Sequence, residues 1–419
     1  MSCSVITAAA ILGGVWLASC GVTDGMAPGG CEYDKEWVTL DDWVYRDNNL
    51  STTMYWGGML KDGKDMYVAG TGSVSSTVRS WIVRKSSDNG ATWRVVDEFQ
   101  YLSTKWSQAL AVEKKGSNIF VLGEGIDSAD KRRVMVRKSS DGGGSWQTVL
   151  DYKHLNTYDT MVRDFKIVGN SIVIPAGCYG CSQYNWLVLK SDDDGATWQL
   201  IESVVDVDGV PSALDKGGFP YAIEYINGVL YAAGSSRTTN GIYSFAVRKS
   251  TDGGNTWQPT NENFKLYEGS SQASSYSIAG TGGAVFASGY AKDVNGKNHG
   301  IIRRSLDGGN NWSTVDDYVK QADKDTLFQS IAAAGSALYV AGKGGTSSGG
   351  SVWLVRRSVD GGQSWANVDE YAYSSDQKNN MAYTILADGS DLYVGGYGVD
   401  TTATGRYHWI IRALYCRKK

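Results

Sequence analysis

Three groups of residues in this chain have types and spacings suited to chemistry. The first is Arg163-Asp164, a cation and a carboxylate side by side. Such a pair can contact a ligand at the channel mouth, or the two side chains can simply satisfy one another or a loop. Paired carboxylates for acid–base hydrolysis are identified by their separation in space, so the sequence assigns none. The second group is Cys178-Tyr-Gly-Cys181, a spacing that serves a disulfide, a redox pair or a metal. The third is a set of six motifs, Ser-x-Asp-x-Gly-x-(Thr/Ser/Asn)-Trp, whose carboxylates are Asp88, Asp141, Asp193, Asp252, Asp307 and Asp360. Such an Asp can accept backbone N–H groups of its own loop, and its Gly takes a backbone conformation closed to other residues. His154, His299 and His408 show no metal-ligand spacing, so no metal and no cofactor is expected.

The elements that position these residues follow from a repeat. Trp37, Trp93, Trp146, Trp198, Trp257, Trp312 and Trp365 recur every 52 to 59 residues. Each unit reads as four short segments. After Trp312, for example, come Trp312–Asp316, Ser330–Gly335, Leu338–Gly342 and Trp353–Ser358. Four strands at this period predict an all-β, single seven-bladed β-propeller over residues 37–419. The Ser-x-Asp motif falls between the third and fourth strands of a blade. The seventh unit lacks the motif and stops at Trp409–Cys416. Its missing outer strand is expected from Trp37–Asp41, which closes the ring and removes open edges.

Two further expectations rest on the repeat. Cys31 occupies the position of Ser87, and Cys416 that of Asp88. The two sulfurs should therefore bridge, and closing so long a loop is worth about 5 kcal/mol in the chain-entropy model. Cys178–Cys181 is expected to be a local disulfide. The position four after each lead Trp reads Asp41, Asp97, Leu150, Glu202, Asn261, Asp316 and Asp369. The third-strand position of the next blade reads Arg84, Arg137, Leu189, Arg248, Arg303, Arg356 and Arg412. A ring of acid–Arg pairs between blades follows, with Leu150 meeting Leu189.

A ligand site is sought where residues break the repeat at the mouth of the channel. One inner-strand column reads Gly58, Ala111, Asp164, Ala222, Ser277, Ser330 and Thr384. Asp164 is the only charge in it. The column before it holds Leu110, Arg163, Tyr221, Tyr276, Gln329 and Tyr383, and Trp56 and Trp106 open inner strands. Aromatic faces beside a few polar groups suit a sugar. Arg163, Asp164, Trp56, Trp106, Tyr221 and Tyr276 are the candidate ligand-binding residues. The sequence assigns no catalytic residue.

Composition limits the partners. The net charge is −4 and the pI near 5.5, which gives no footprint for nucleic acid. Residues 1–19 read as a signal peptide, with an apolar run from Ile6 to Ala18 too short to span a membrane. Leu17-Ala18-Ser19-Cys20 resembles the lipobox of bacterial lipoproteins, which implies lipidation at Cys20. Residues 20–36 read as a tether. The expected location is the bacterial cell envelope or the medium, with the membrane met only through the lipid, and the expected state is a monomer.

The six Ser-x-Asp motifs resemble the Asp-box (BNR) repeat of sialidases and related propellers, over residues 37–419. In that family these turns lie on the face away from the active site, so they imply structure rather than chemistry. Sialidases also carry an early Arg-Ile-Pro segment, three arginines and a Tyr–Glu nucleophile pair. No Arg-Ile-Pro occurs here; Tyr45-Arg46 holds the nearest early Arg. Some seven-bladed relatives are docking factors without catalysis. The expectation is an exported propeller that binds a glycan or a cell-surface protein at its mouth without cleaving it. The alternative is a sialidase-like exo-glycoside hydrolase.

Overall fold

The computed structural model describes residues 35–46, 52–53, 58–179, 181, 186–204, 218–237, 241–267, 269, 272–376, 378–401 and 405–416. Among these residues there is no helix, and hence none long and apolar enough to cross a membrane. The chain forms seven antiparallel sheets arranged as blades of a propeller. Trp56, Cys20, Cys31, the proposed signal and residues 20–34 of the proposed tether lie outside the described residues, while Lys35 and Glu36, expected in the tether, already pair with Cys416 and Tyr415.

Blade 2 shows the plan: Ser107–Lys115 innermost, then Asn118–Ile126, Arg132–Ser139 and Gln147–Tyr152 outermost. The seventh blade is closed as expected. Lys35–Trp43 pairs with Tyr407–Cys416, with Trp43 opposite Trp409 and Thr39 opposite Arg412.

No single core exists. Instead seven buried apolar clusters each fill one interface between neighbouring blades. The third strands supply the largest side chains, with Trp81, Trp353 and Trp409 wholly buried. Each blade thus buries its two faces against neighbours, which is why one blade could not stand alone.

Polar contacts repeat on the same plan. Arg137 makes a bidentate pair with Asp97, at 2.7 and 2.9 Å, and Arg356 one with Asp316, at 3.0 and 3.1 Å. Arg84 pairs with Asp41 and Arg412 with Asp369. Leu150 and Leu189 share one apolar cluster, as the paired columns require. One partner differs from expectation. Arg303 takes Glu262, at 2.9 and 3.2 Å, and not Asn261. The outer strand of that blade is only Gln258–Pro259, and its acid and aromatic both fall one residue later. Phe264 accordingly lies under Arg303 as Phe99 lies under Arg137. The guanidinium groups of Arg137, Arg303, Arg356 and Arg412 are each held by two bonds to a carboxylate and by an aromatic ring, a role lysine would not fill.

The Ser-x-Asp turns are tightly bonded loops. In the first, Thr92 donates its amide (2.8 Å) and hydroxyl (2.6 Å) to Asp88. Ser86 bonds the same carboxylate and accepts from the Gly90 amide, and Trp93 donates to the Gly90 carbonyl. Gly90 has φ +87°, open to glycine at little cost. Hydrogen bonds from Thr92 hold the Asp88 carboxyl down at about 2.

Candidate functional site at the channel mouth

Turns within a blade place the second-to-third and fourth-to-first connections on one face and the Ser-x-Asp turns on the other. The first face carries the mouth. Five inner strands reach it through a β-bulge, recorded around Leu110, Tyr221, Tyr276, Gln329 and Tyr383. A bulge re-aims one side chain and bends the strand. It also explains a glycine in the second strand. A Cβ on Gly123, Gly234, Gly289, Gly342 or Gly396 would overlap a carbonyl of the inner strand beside the bulge.

Blade 3 is different. It carries Ala176 in that column, its register shows no bulge, and its inner strand breaks into Asp159–Val162 and Lys166–Val168. Arg163 and Asp164 stand in the break.

The two residues then part company. Arg163 is buried and donates to Glu124 at 3.1 Å and to the Val162 carbonyl at 2.7 Å. Glu124 is fully buried and accepts also from Gln108 (2.8 Å) and the Val162 amide (2.9 Å), with Arg132 3.6 Å away. Its charge is answered on every side, as a buried carboxylate requires. Asp164 accepts from the Phe165 amide (2.9 Å) and, across the blade interface, from the Ile223 amide (3.1 Å). Ser277 and Ser330 do the same for Ile331 and Ile385. Asp164 is therefore the acidic member of an inter-blade stitch. Burial pushes its carboxyl up to about 7, against the pull of the Ile223 amide and of Lys166. Lys166 lies between Glu113 (3.0 Å) and Glu224 (3.1 Å).

Beside Arg163 the mouth opens into a cavity of about 230 Å³ over blades 3 to 5. Its walls are Tyr179, Phe219, Tyr221, Tyr243 and Tyr290, with Met161 and Arg163 below and Ser235, Gln272 and Ser274 as polar groups. The Tyr221 ring stands edge-on to Phe219 and to Tyr276, each 4.9 Å away, and Tyr276 meets Tyr290 at 5.4 Å. Tyr179 is 54% exposed and forms the outer lip. It follows Cys178, which is bonded to Cys181 with a Cα separation of 5.8 Å. Cys178 and Cys181 are both buried and belong to the apolar cluster between blades 2 and 3, so the disulfide anchors the strand that ends in Tyr179.

Of the expected residues, Arg163 and Tyr221 line the cup, and Tyr276 packs against Tyr221 and Tyr290 without lining it. Asp164 is not in the cup wall. Trp106 lies apart from it, under the Arg132 guanidinium at 5.1 Å. Sequence reasoning missed a second-strand column, Thr71, Glu124, Gly177, Ser235, Tyr290, Lys343 and Tyr397, which breaks the repeat at the mouth. The comparison of repeats that exposed Asp164 would have exposed it too, had it been extended one strand outward.

A Tyr–Glu pair does exist, but at the rim. Tyr45 and Arg46 both bond Glu98 of the outer strand Arg94–Phe99, at 2.6 and 2.5 Å. Burial and the Glu98 carboxylate push the Tyr45 phenol up to about 12, the wrong direction for a nucleophile.

No protein-family description and no curated protein matches this chain. Solved structures do. Trypanosoma rangeli sialidase in complex with a difluorinated nononic acid superposes with a TM-score of 0.51 at 15% identity. The match covers 75% of this chain, which spans only 55% of the sialidase. Penicillium chrysogenum α-L-arabinanase complexed with arabinobiose gives 0.51 at 11% identity, covering 90% of this chain and 98% of the arabinanase. The likeness shows a sialidase-like propeller fold, and at such identity no more than that.

Proposed function

We propose that this protein is an Asp-box propeller, exported and anchored through a lipid on Cys20, that binds a glycan in the aromatic cup of blades 3 to 5 and does not cleave it. The observation that carries the reading is the cup itself. Tyr179, Tyr221, Tyr243 and Tyr290 line one open cavity together with Phe219. Flat aromatic faces accept the C–H faces of sugar rings, and their hydroxyls, with Ser235, Ser274 and Gln272, offer the directional bonds that fix orientation. The carboxylate behind Arg163, Glu124, is committed to Arg163 and Gln108.

One observation favours a hydrolase instead. The Asp164 carboxyl near 7 suits a general acid. Among the described residues no carboxylate lines that cavity, so none there is paired with it across a bound sugar. A glycan array screened with wild type and Tyr179→Ala tests the binding reading. Signals lost in the variant at unchanged melting temperature support it; an array without any signal, or signals indifferent to Tyr179, refutes it. A panel of fluorogenic glycosides tests the other reading, and turnover abolished by Asp164→Asn would establish it.

A further inference from the structure

The column that carries Glu124 in blade 2 carries Lys343 in blade 6. These are its only two charged members. They are treated in opposite ways. Glu124 has Arg163 and Arg132 built around it. Lys343 is half-buried, and among the described residues no carboxylate oxygen lies within 4.0 Å of it or of Lys324. Burial lowers the Lys343 ammonium below the ordinary lysine range, and the charge of Asp325 only partly restores it.

Both lysines line a cavity of about 590 Å³ on the mouth face between blades 6 and 7. Its charged lining is Lys324, Lys343 and Lys378 against Asp325 and Asp376, three positive to two negative. The two acids are already engaged. Asp325 accepts the Asn298 amide at 2.9 Å, and Asp376 takes Ser374 at 2.5 Å and Lys378 at 3.3 Å. Two ammonium groups are left for an incoming anion. A half-buried ammonium with no carboxylate oxygen within ion-pair distance and only the more distant charge of Asp325 costs free energy, which an anionic ligand would recover.

We propose that the cleft between blades 6 and 7 is an anion subsite, in which Lys343 and Lys324 take a sulfate or carboxylate group of an acidic saccharide. The site rests on the glycan reading, but it lies in different blades from the aromatic cup and can fail separately. An ammonium on a flexible stem acts as a point charge, so it would accept either anion without the bidentate geometry that arginine imposes.

Calorimetric titration of the full chain tests this with three disaccharides of one linkage: neutral, uronic acid and sulfated. At least one acidic form should bind tenfold or more tightly than the neutral form. Lys343→Gln should abolish that advantage and Lys343→Arg should keep it. Which acidic form gains tells a carboxylate from a sulfate. If Lys343→Gln melts early, Lys324→Gln serves as the second variant and should cut the advantage severalfold. Inorganic sulfate at matched concentration should compete. The inference is overturned if no acidic form gains over the neutral one, or if the gain persists in both glutamine variants. Neutral binding that still responds to Tyr179→Ala would then leave the cup intact as a site.

Discussion

At the scale of single residues, the molecule repeatedly spends a charge on joining blades. Asp316 and Arg356 are both largely buried, so removing one partner strands the other. Asp316→Ala should cost about 3 kcal/mol of unfolding free energy. The double change Asp316→Leu with Arg356→Leu should cost much less, because Leu150 and Leu189 already fill the equivalent site. A denaturant double-mutant cycle measures both; equal losses would show that the pair contributes nothing of its own. Asp164 adds a pH dependence. Its folded carboxyl sits near 7, above the unfolded value of 3.8, so the folded state holds a proton that the unfolded state has lost. Its contribution is full below about pH 4 and disappears as pH rises through 7. Asp164→Asn should flatten that segment of the melting profile. The Ser-x-Asp carboxylates act in the other direction. With folded values near 2 for Asp88, Asp193, Asp252, Asp307 and Asp360, their stability is present above about pH 4 and lost as pH falls toward 2. Melting temperatures should therefore collapse between pH 4 and 2, and a profile flat across that window would contradict the turn geometry.

At the scale of strands and turns, the inner-strand bulge and the second-strand glycine form one device. Gly342→Ala would drive a methyl into the Leu327 carbonyl. The expected loss is about 1–3 kcal/mol, read as an earlier urea midpoint. No loss would mean that the bulge yields easily, which blade 3 argues against: there Ala176 coincides with a broken inner strand. This scale also shows what the sequence made legible. The tryptophan spacing carried the number of blades, their four strands and the closing pair of Lys35–Trp43 with Tyr407–Cys416, because each reflects local packing repeated seven times. Asn261 misled, because a one-residue shift in a short outer strand moves every later side chain to a new place. Arg163 and Asp164 were visible as exceptions, but not their separation, which depends on a carboxylate from another blade. Glu124 lies 39 residues before Arg163, and the packing of blade 2 against blade 3 brings them together.

At the scale of the whole molecule, the propeller is a ring of seven blades with two unlike faces. One bears the repeated turns, and the other collects the departures from the repeat: an aromatic cup over blades 3 to 5 and a basic cleft between blades 6 and 7. Repetition builds the ring, and the proposed binding sites rest on the exceptions. The central claim is that the cup binds saccharide and leaves it whole. The most direct measurement is a calorimetric titration of the full chain with a saccharide selected on the array, followed by chromatography of the recovered ligand. The account predicts saturable binding, a dissociation constant at least tenfold weaker in Tyr179→Ala at unchanged melting temperature, and a ligand recovered intact. Binding indifferent to Tyr179, or shortened saccharide in the wild-type sample that Asp164→Asn fails to produce, would contradict it.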